Sequence, residues 1–306
     1  MRAARPDFWS SFTASSLPSK CFPLVAHSYY FPAHQVELGG QVSLRTQLFP
    51  TQSRSGRRML TPPANSILPS PTCPFAESKS DLRTTLIPFL LSSTKQPLAV
   101  LEYRHAPAAP HPAQINDVLS ALSILTSSSL LAPEGPTQRW DRRGIILMGH
   151  SAGAFMAASI ILAPPKGIEV AFEVSKEIRN AVAGIICVDG IYDLPDLLDE
   201  YPTYDYFVHD AFGRDSKVLE DESPARWNLA TKEEAGRKVG ILVLHSREDE
   251  LLTLRQPEFF LERMREKDTG SVFDLVVDYD SIKGTHDDLI KTEVLAKVVA
   301  NWLATR

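Results

Sequence analysis

Short apolar runs that alternate with amphipathic segments constrain the fold of this chain more than any other feature. Five runs have the length of a buried strand, at residues 98–103, 144–148, 183–188, 240–244 and 273–277. Strands without polar alternation are typical of a parallel sheet that is covered by helices on both faces. The sequence therefore predicts an α/β fold whose sheet is mostly parallel.

Helical patterns fill the spaces between these runs, at residues 82–91, 113–125, 152–162, 256–265 and 289–303. The second of these places Ile115, Val118 and Leu122 on one helical face. Crossovers between parallel strands are right-handed, so every strand ends at the same edge of the sheet. Ligands of open α/β sheets bind at that edge, and we look for functional residues there.

Composition changes near residue 76. The first 76 residues are rich in Ser and Pro and contain two acids against seven Lys or Arg, so they carry about +5. Such a segment buries little apolar surface, which predicts a poorly ordered region at 1–76 followed by one α/β domain at 77–306. Within the first region, apolar residues alternate on both sides of Gly39-Gly40, which predicts a β-hairpin over 35–49.

Net charge, the length of the apolar stretches and cysteine content disfavour several classes of function. The whole chain carries a net charge of −5, and no basic stripe stands outside residues 1–76, which disfavours nucleic acid as a partner. No apolar stretch reaches the roughly 20 residues that cross a bilayer, which disfavours a membrane protein. Three cysteines form no metal-binding or redox motif and favour a reducing compartment.

A Gly-x-Ser-x-Gly pattern, formed by Gly149, Ser151 and Gly153, stands between a predicted strand and a predicted helix. In a nucleophile elbow, the turn is so sharp that the serine takes a strained backbone conformation and its neighbours must be small. The hydroxyl then lies at a helix N-terminus, where the dipole favours an anion. The pattern predicts that Ser151 is a nucleophile; the alternative is a glycine-rich turn with a solvated serine.

A serine nucleophile needs a base, and eight histidines compete for that role. His286 follows the last predicted strand and is expected at the same sheet edge as Ser151. His105 and His111 flank prolines and are expected to face solvent, while the side chain of His150 is expected to point away from the hydroxyl. We predict that His286 is the base; a surface loop histidine is the alternative.

The base needs an acid that fixes its tautomer and stabilises its charged form. Glu248, Asp249 and Glu250 follow the strand at 240–244 and are expected at the same edge. We choose Asp249, although spacing alone leaves its two neighbours as alternatives. The chain order of serine, acid and histidine is the order of α/β-hydrolase enzymes.

Several segments of this sequence resemble the fungal kynurenine formamidases, which hydrolyse N-formylkynurenine in tryptophan degradation. The elbow at 149–154 is similar to theirs but is shared with many esterases. More specific are Val-Asp-Gly-Ile-Tyr-Asp-Leu-Pro at 188–195, its continuation to Pro224, and the loops at 245–252 and 284–287. Glu102-Tyr103-Arg104-His105-Ala106-Pro107 also matches the family's pattern, and the resemblance covers about residues 77–306.

The resemblance implies the α/β-hydrolase fold and a Ser151–Asp249–His286 triad acting on a small aryl formamide, without metal or cofactor. Its acid loop favours Asp249 over the two neighbouring glutamates. It also implies a cytoplasmic enzyme. The basic, acid-poor N-terminus leaves a mitochondrial transit peptide as an alternative. The oligomeric state stays open, with a homodimer as one candidate.

One family motif is missing. A His-Gly-Gly-x-Trp motif ends an early strand in the family, and the Pro- and Ser-rich stretch at 50–74 occupies its place here. Acyl transfer develops an oxyanion that needs two backbone donors, and the Ala152 N–H supplies only one of them. We therefore expect an incomplete N-terminal part and a sheet that lacks an interior strand. A missing or wrongly translated exon and a divergent or inactive relative both explain this, and we favour the first.

Two other functions remain open. A carboxylesterase would use the same three residues on ester substrates, and a catalytically impaired hydrolase-fold protein would only bind a ligand or partner. Aromatic residues of the segment at 190–223 either cap the site against an aromatic substrate or only pack the segment onto the sheet; they are Tyr192, Tyr201, Tyr204, Tyr206, Phe207 and Phe212.

Overall fold

A six-stranded parallel sheet forms the centre of the protein. The computed structural model describes residues 22–26, 84–127, 141–229, 238–267 and 273–306. The sheet consists of β1 (Phe22–Ala26), β2 (Ala99–Leu101), β3 (Ile145–His150), β5 (Val182–Val188), β7 (Val239–Leu244) and β8 (Phe273–Asp278), and a separate antiparallel pair consists of β4 (Leu162–Ala163) and β6 (Asn228–Leu229). The spatial order is β2-β1-β3-β5-β7-β8, and every neighbouring pair is parallel.

The apolar runs of the sequence form the central strands of this sheet. Every residue of β7 is buried, as are five of the six in β3 and six of the seven in β5. A strand whose alternate side chains point to opposite faces buries them all only when both faces are covered. The predicted α/β fold with a mostly parallel sheet is confirmed.

Helices cover both faces. Their bounds are α1 (Leu86–Thr94), α2 (Ala113–Thr126), α3 (Ala152–Ile161), α4 (Lys176–Ala181), α5 (Leu194–Glu200), α6 (Asp205–Phe212), α7 (Ser216–Asp221), α8 (Arg255–Lys267) and α9 (Glu293–Ala304). Side chains of α1 and α9 form one core cluster with Ile146, Ile186 and Leu242. Those of α2, α3, α4 and α8 form a second cluster with Leu147, Ile185 and Val243.

The position of β1 corrects the expectation that the sheet lacks an interior strand. Phe22–Ala26 lies between β2 and β3, with Leu24 paired to Ala99 on one side and to Leu147 on the other. Pro23 hid this strand in the sequence, because proline cannot donate to the ladder and argues against an interior position. The predicted hairpin at 35–49 lies outside the described residues.

A segment of short helices, comprising α5, α6, α7 and the 3₁₀ turn Pro202–Tyr204, leaves the sheet after β5. We call this segment the cap. Its apolar side chains form a third cluster with Phe155 of α3 and Leu252 of the loop after β7. The cap therefore packs on the carboxyl edge of the sheet.

The end of the chain differs in detail from its prediction. The expected helix at 289–303 is divided into a 3₁₀ turn, Leu289–Lys291, and α9. Thr292 separates them because its hydroxyl accepts a hydrogen bond from the Leu295 amide and so caps α9. None of the helices in the described part of the chain has the length and apolarity that a bilayer crossing requires.

Candidate active site

The elbow at Ser151 joins β3 to α3 at the carboxyl edge of the sheet. Ser151 has φ 54° and ψ −119°, a conformation that L-residues rarely adopt. Its amide donates to the Val188 carbonyl at 3.0 Å, and its carbonyl accepts from the Ala154 amide, so the turn is held on both sides. This bonding maintains the strained residue at the N-terminus of α3.

Gly149 must lack a side chain for this turn to form. A Cβ placed on Gly149 would overlap the backbone carbonyl of Gly153 and the Ala154 amide nitrogen. The close approach of strand and helix is therefore the reason for glycine at this position. The Ala152 amide heads α3 beside Ser151, and no acceptor binds it within the described parts of the chain.

The structure brings His286 and Asp249 into direct contact. Their Nδ1 and Oδ2 atoms lie 2.7 Å apart, and the Asp249 side chain is fully buried. Burial raises the pKa of Asp249, but hydrogen bonds from His286 and from the amides of Leu252 and Leu251 outweigh it and leave that pKa below its usual value. Burial lowers the pKa of His286, but the hydrogen bond and charge of Asp249 outweigh it and leave that pKa above its usual value.

The three neighbouring acids of the loop after β7 have different partners. Asp249 binds the His286 ring, whereas Glu250 accepts from the His286 backbone amide at 2.9 Å. Glu248 accepts from the Gly284 amide at 3.0 Å. The loop at 245–252, which we call the acid loop, therefore binds the loop at 284–287, the histidine loop, through the His286 ring and through two backbone amides.

Ser151 and His286 line the same pocket, which has a volume of about 440 Å³. Within the described residues, no hydrogen bond joins the Ser151 hydroxyl to another group. Hydrogen bonds of catalytic groups are often formed only once substrate is present. Ala152 lines the pocket as well, so the predicted nucleophile, base and oxyanion donor meet in one cavity.

One of the other histidines differs from its expected position. His111 was expected to face solvent, but only 6% of its side chain is exposed, because it lies 3.1 Å from Glu222 and stacks on Phe212. The flanking prolines suggested an open loop, whereas that loop packs under the cap. The ring of His150 lies 4.4 Å from that of His286, and its Nε2 donates to the His286 carbonyl at 3.0 Å.

Sequence reasoning assigned no role to Asp189 and placed His245 only at a strand end. Both are fully buried behind the His286–Asp249 pair, and Asp189 has φ 42°. Burial lowers the pKa of His245, whose Nε2 donates to the Leu252 carbonyl. An acid directly after the apolar strand at 182–188 was the available signal, because it falls on the same sheet edge as Ser151.

Two sets of these groups have the composition of a metal site. His150, Asp189 and His286 offer ligand atoms within 4.8 Å of one another, and so do Asp189, His245 and Asp249. Each set includes a member of the His286–Asp249 pair, so a cation bound there would compete with that pair.

The cap supplies much of the pocket wall. Tyr204, Tyr206, Phe207 and Phe212 line it together with Phe155 of α3. Tyr192 does not, because it is buried in the core and stacks on Phe260 with ring centroids 4.4 Å apart. The aromatic residues of the segment at 190–223 are thus divided between the pocket wall and the packing of the segment.

The fold and the site point to one class of protein. A family model described as the α/β-hydrolase fold matches residues 78–239. A carboxyl esterase from Tuber melanosporum (TM-score 0.53, 17% identity, covering 75% of this chain and 74% of that one) and an esterase from Rhizomucor miehei (TM-score 0.54, 14% identity, 75% and 69%) share this fold. The protein is an α/β hydrolase.

Sequence relatives narrow the class further. The kynurenine formamidase of Eremothecium gossypii is 32% identical over 207 residues, which cover 66% of this chain and 76% of the relative. That of Saccharomyces cerevisiae is 30% identical over 203 residues, covering 65% and 71%. That of Meyerozyma guilliermondii is 29% identical over 209 residues, covering 66% and 70%. The chain belongs to the kynurenine formamidase family.

Proposed function

We propose that the protein hydrolyses N-formyl-L-kynurenine to L-kynurenine and formate, a step of tryptophan degradation, with Ser151, His286 and Asp249 as its catalytic triad. Similarity to the curated formamidases supports the choice of substrate. The 2.7 Å contact between His286 and Asp249, in the loops beside the Ser151 elbow, is the observation that carries the mechanism.

The reaction begins when the Ser151 hydroxyl attacks the formyl carbon and His286 accepts its proton. His286 then gives this proton to the departing aniline nitrogen, which leaves as the free amine. A water molecule attacks the formyl-enzyme in the same way and releases formate. Asp249 remains ionised throughout and stabilises the imidazolium, as its lowered pKa favours.

Negative charge develops on the formyl oxygen during both attacks. The Ala152 N–H, at the start of α3, is our candidate for one hydrogen-bond donor to that oxygen. The helix dipole acts in the same direction because the oxygen would lie at the N-terminus of α3. Mutational removal of one such donor from a serine hydrolase lowers kcat by roughly 10²–10³-fold.

Aromatic residues in the pocket wall fit the aryl part of this substrate. Phe207 and Phe212 of the cap and Phe155 of α3 present apolar ring surface to the cavity. Ring pairs of this kind contribute about 0.5–1.5 kcal/mol beyond their buried area. The wall therefore favours an aromatic amine as the leaving group.

The test is hydrolysis of N-formyl-L-kynurenine by the purified chain, with Ser151→Ala as the control and circular dichroism to verify folding. We expect turnover that disappears in the variant. A folded wild-type chain without turnover would contradict the proposal. Phenyl acetate, assayed in parallel, separates a formamidase from the alternative carboxylesterase, which would cleave only the ester.

A further inference from the structure

Asp189 is a buried carboxyl group that the mechanism above does not use. It directly follows β5 at the carboxyl edge, and its side chain is completely buried. Its Oδ1 accepts a hydrogen bond from the Ser246 amide at 2.8 Å, whereas its Oδ2 has no partner within the described parts of the chain. A buried carboxyl oxygen without a partner is expensive, which suggests a role other than packing.

This carboxyl lies close to two groups of the proposed triad and to two further histidines. One of its oxygens is within 4.8 Å of a ring nitrogen of His286 and of His150. One of its oxygens is also within 4.8 Å of a ring nitrogen of His245 and of a carboxylate oxygen of Asp249. Asp189 is therefore the one residue common to both clusters.

Hydrogen bonds also connect Asp189 to both loops that carry the proposed base and acid. The Ser246 amide that it binds begins the acid loop, and the Ser246 hydroxyl donates to the Gly284 carbonyl at 2.7 Å. The same hydroxyl accepts from the Glu248 amide at 3.1 Å. Through Ser246, the Asp189 carboxyl thus contacts the acid loop and, one bond further on, the histidine loop.

The charges around Asp189 come from three elements. Asp249, Glu250 and His245 belong to the acid loop, His286 to the histidine loop, and His150 to the end of β3. Burial, and next the charge of Asp249, raise the pKa of Asp189 to about 8, although the Ser246 hydrogen bond and His286 oppose them. In return, the charge of Asp189 is one of the contributions that raise the pKa of His286.

We propose that Asp189 is a positioning residue that anchors the acid loop through Ser246 and, as a second carboxyl group beside the imidazole, stabilises the protonated form of His286. This inference rests on the proposed function in taking His286 as the base of Ser151. An ionised Asp189 favours the imidazolium that forms as Ser151 attacks. The site therefore gains reactivity as Asp189 loses its proton.

Asp189→Asn isolates the charge from the anchoring. Asparagine keeps the size of the side chain and an oxygen that accepts from the Ser246 amide, and it tolerates a positive φ better than most residues. Asp193→Asn is the matched control, because Asp193 is also completely buried but its carboxylate binds Arg226 instead. Circular dichroism verifies the fold of each variant.

The readout is the rate at which a fluorophosphonate labels Ser151 between pH 5 and pH 10, which needs no formamide substrate. In the wild type we expect the rate to rise through the titration of His286 and again near pH 8. In Asp189→Asn the second rise should disappear, whereas the first should keep its position, because the protonated Asp189 carboxyl is as uncharged there as asparagine. Asp193→Asn should keep both rises.

Two results would overturn the inference. One is a folded Asp189→Asn variant whose profile superimposes on that of the wild type. The other is a wild-type profile without a second rise, which decides the question even if Asp189→Asn fails to fold. Labelling without N-formylkynurenine turnover would instead contradict the proposed function alone.

Discussion

His286 Nδ1 and Asp249 Oδ2 lie 2.7 Å apart, between two loops that are far from each other in the sequence. The glutamates on either side of Asp249 do not compete for this contact, because each binds a backbone amide of the histidine loop. Of these three consecutive acids, one therefore binds the imidazole ring and two bind backbone amides. Replacing each acid by its isosteric amide, asparagine or glutamine, distinguishes the two roles.

Asp249→Asn should lower kcat about 10⁴-fold, because its amide group would bind the wrong tautomer of His286. Glu248→Gln and Glu250→Gln each keep an oxygen that accepts from the histidine loop, so they should lower kcat by less than about tenfold. Steady-state kinetics with N-formyl-L-kynurenine measures all three. A larger loss in either glutamine variant than in Asp249→Asn would show that the acid is misassigned.

Gly149→Ala tests the elbow itself. The new Cβ would overlap the Gly153 carbonyl, so strand and helix would have to separate, and we expect the free energy of unfolding to fall by more than about 3 kcal/mol. Fluorophosphonate labelling of any folded fraction should also fail.

Gly167→Ala is its matched control. Gly167 has φ +91°, but a Cβ there would meet nothing within 4 Å. Only backbone strain should then act, at about 1–2 kcal/mol, with labelling unchanged. Equal destabilisation of the two variants in urea would contradict the steric explanation.

The sheet was largely predictable from the sequence, because a strand that is buried on both faces has a continuous apolar run in the sequence. Each of the five apolar runs lies in a strand whose ends differ from the prediction by two residues or fewer. This pattern does not identify β1, because Pro23 contradicts the rule that interior strands lack proline. It fails also for the cap, whose helices of six to eight residues are too short for a helical period to be visible.

The sequence predicted the edge of the sheet at which the candidate site lies and the order of its residues in the chain. Ser151, Asp249 and His286 were chosen because each follows a strand, and the structure places all three at the carboxyl edge. The burial of His111 and the contacts of Asp189 were not predictable, because both depend on which loops pack together in space. In particular, the charged groups around Asp189 belong to three separate elements.

Phe207→Ala tests the aromatic wall of the pocket. Loss of this ring should raise KM for an aryl formamide roughly tenfold with little change in kcat, because the contact is made equally before and during reaction. Val218→Ala, on α7 of the same cap but outside the pocket wall, should leave KM unchanged. A formylated aliphatic amine should not distinguish wild type from Phe207→Ala; if it did, the ring would act on the cap rather than on the substrate.

The final prediction concerns the dependence of stability on pH. Because the pKa of Asp189 is raised to about 8 in the folded state, from an ordinary value of about 3.9, the folded protein binds more protons than the unfolded chain between these values. Its contribution to stability is therefore lost as pH rises from about 4 to 8, by at most about 1.4 kcal/mol per unit.

Asparagine at this position has no proton to lose. Urea unfolding at pH 5, 6, 7, 8 and 9 measures the free energy of unfolding of both proteins. The value for Asp189→Asn minus that for the wild type should rise steadily up to pH 8 and then stay constant. A difference that stays constant across the range would mean that Asp189 keeps the same charge in the folded and unfolded chain. Its carboxyl would then be solvated or paired in a way that the unpartnered Oδ2 excludes.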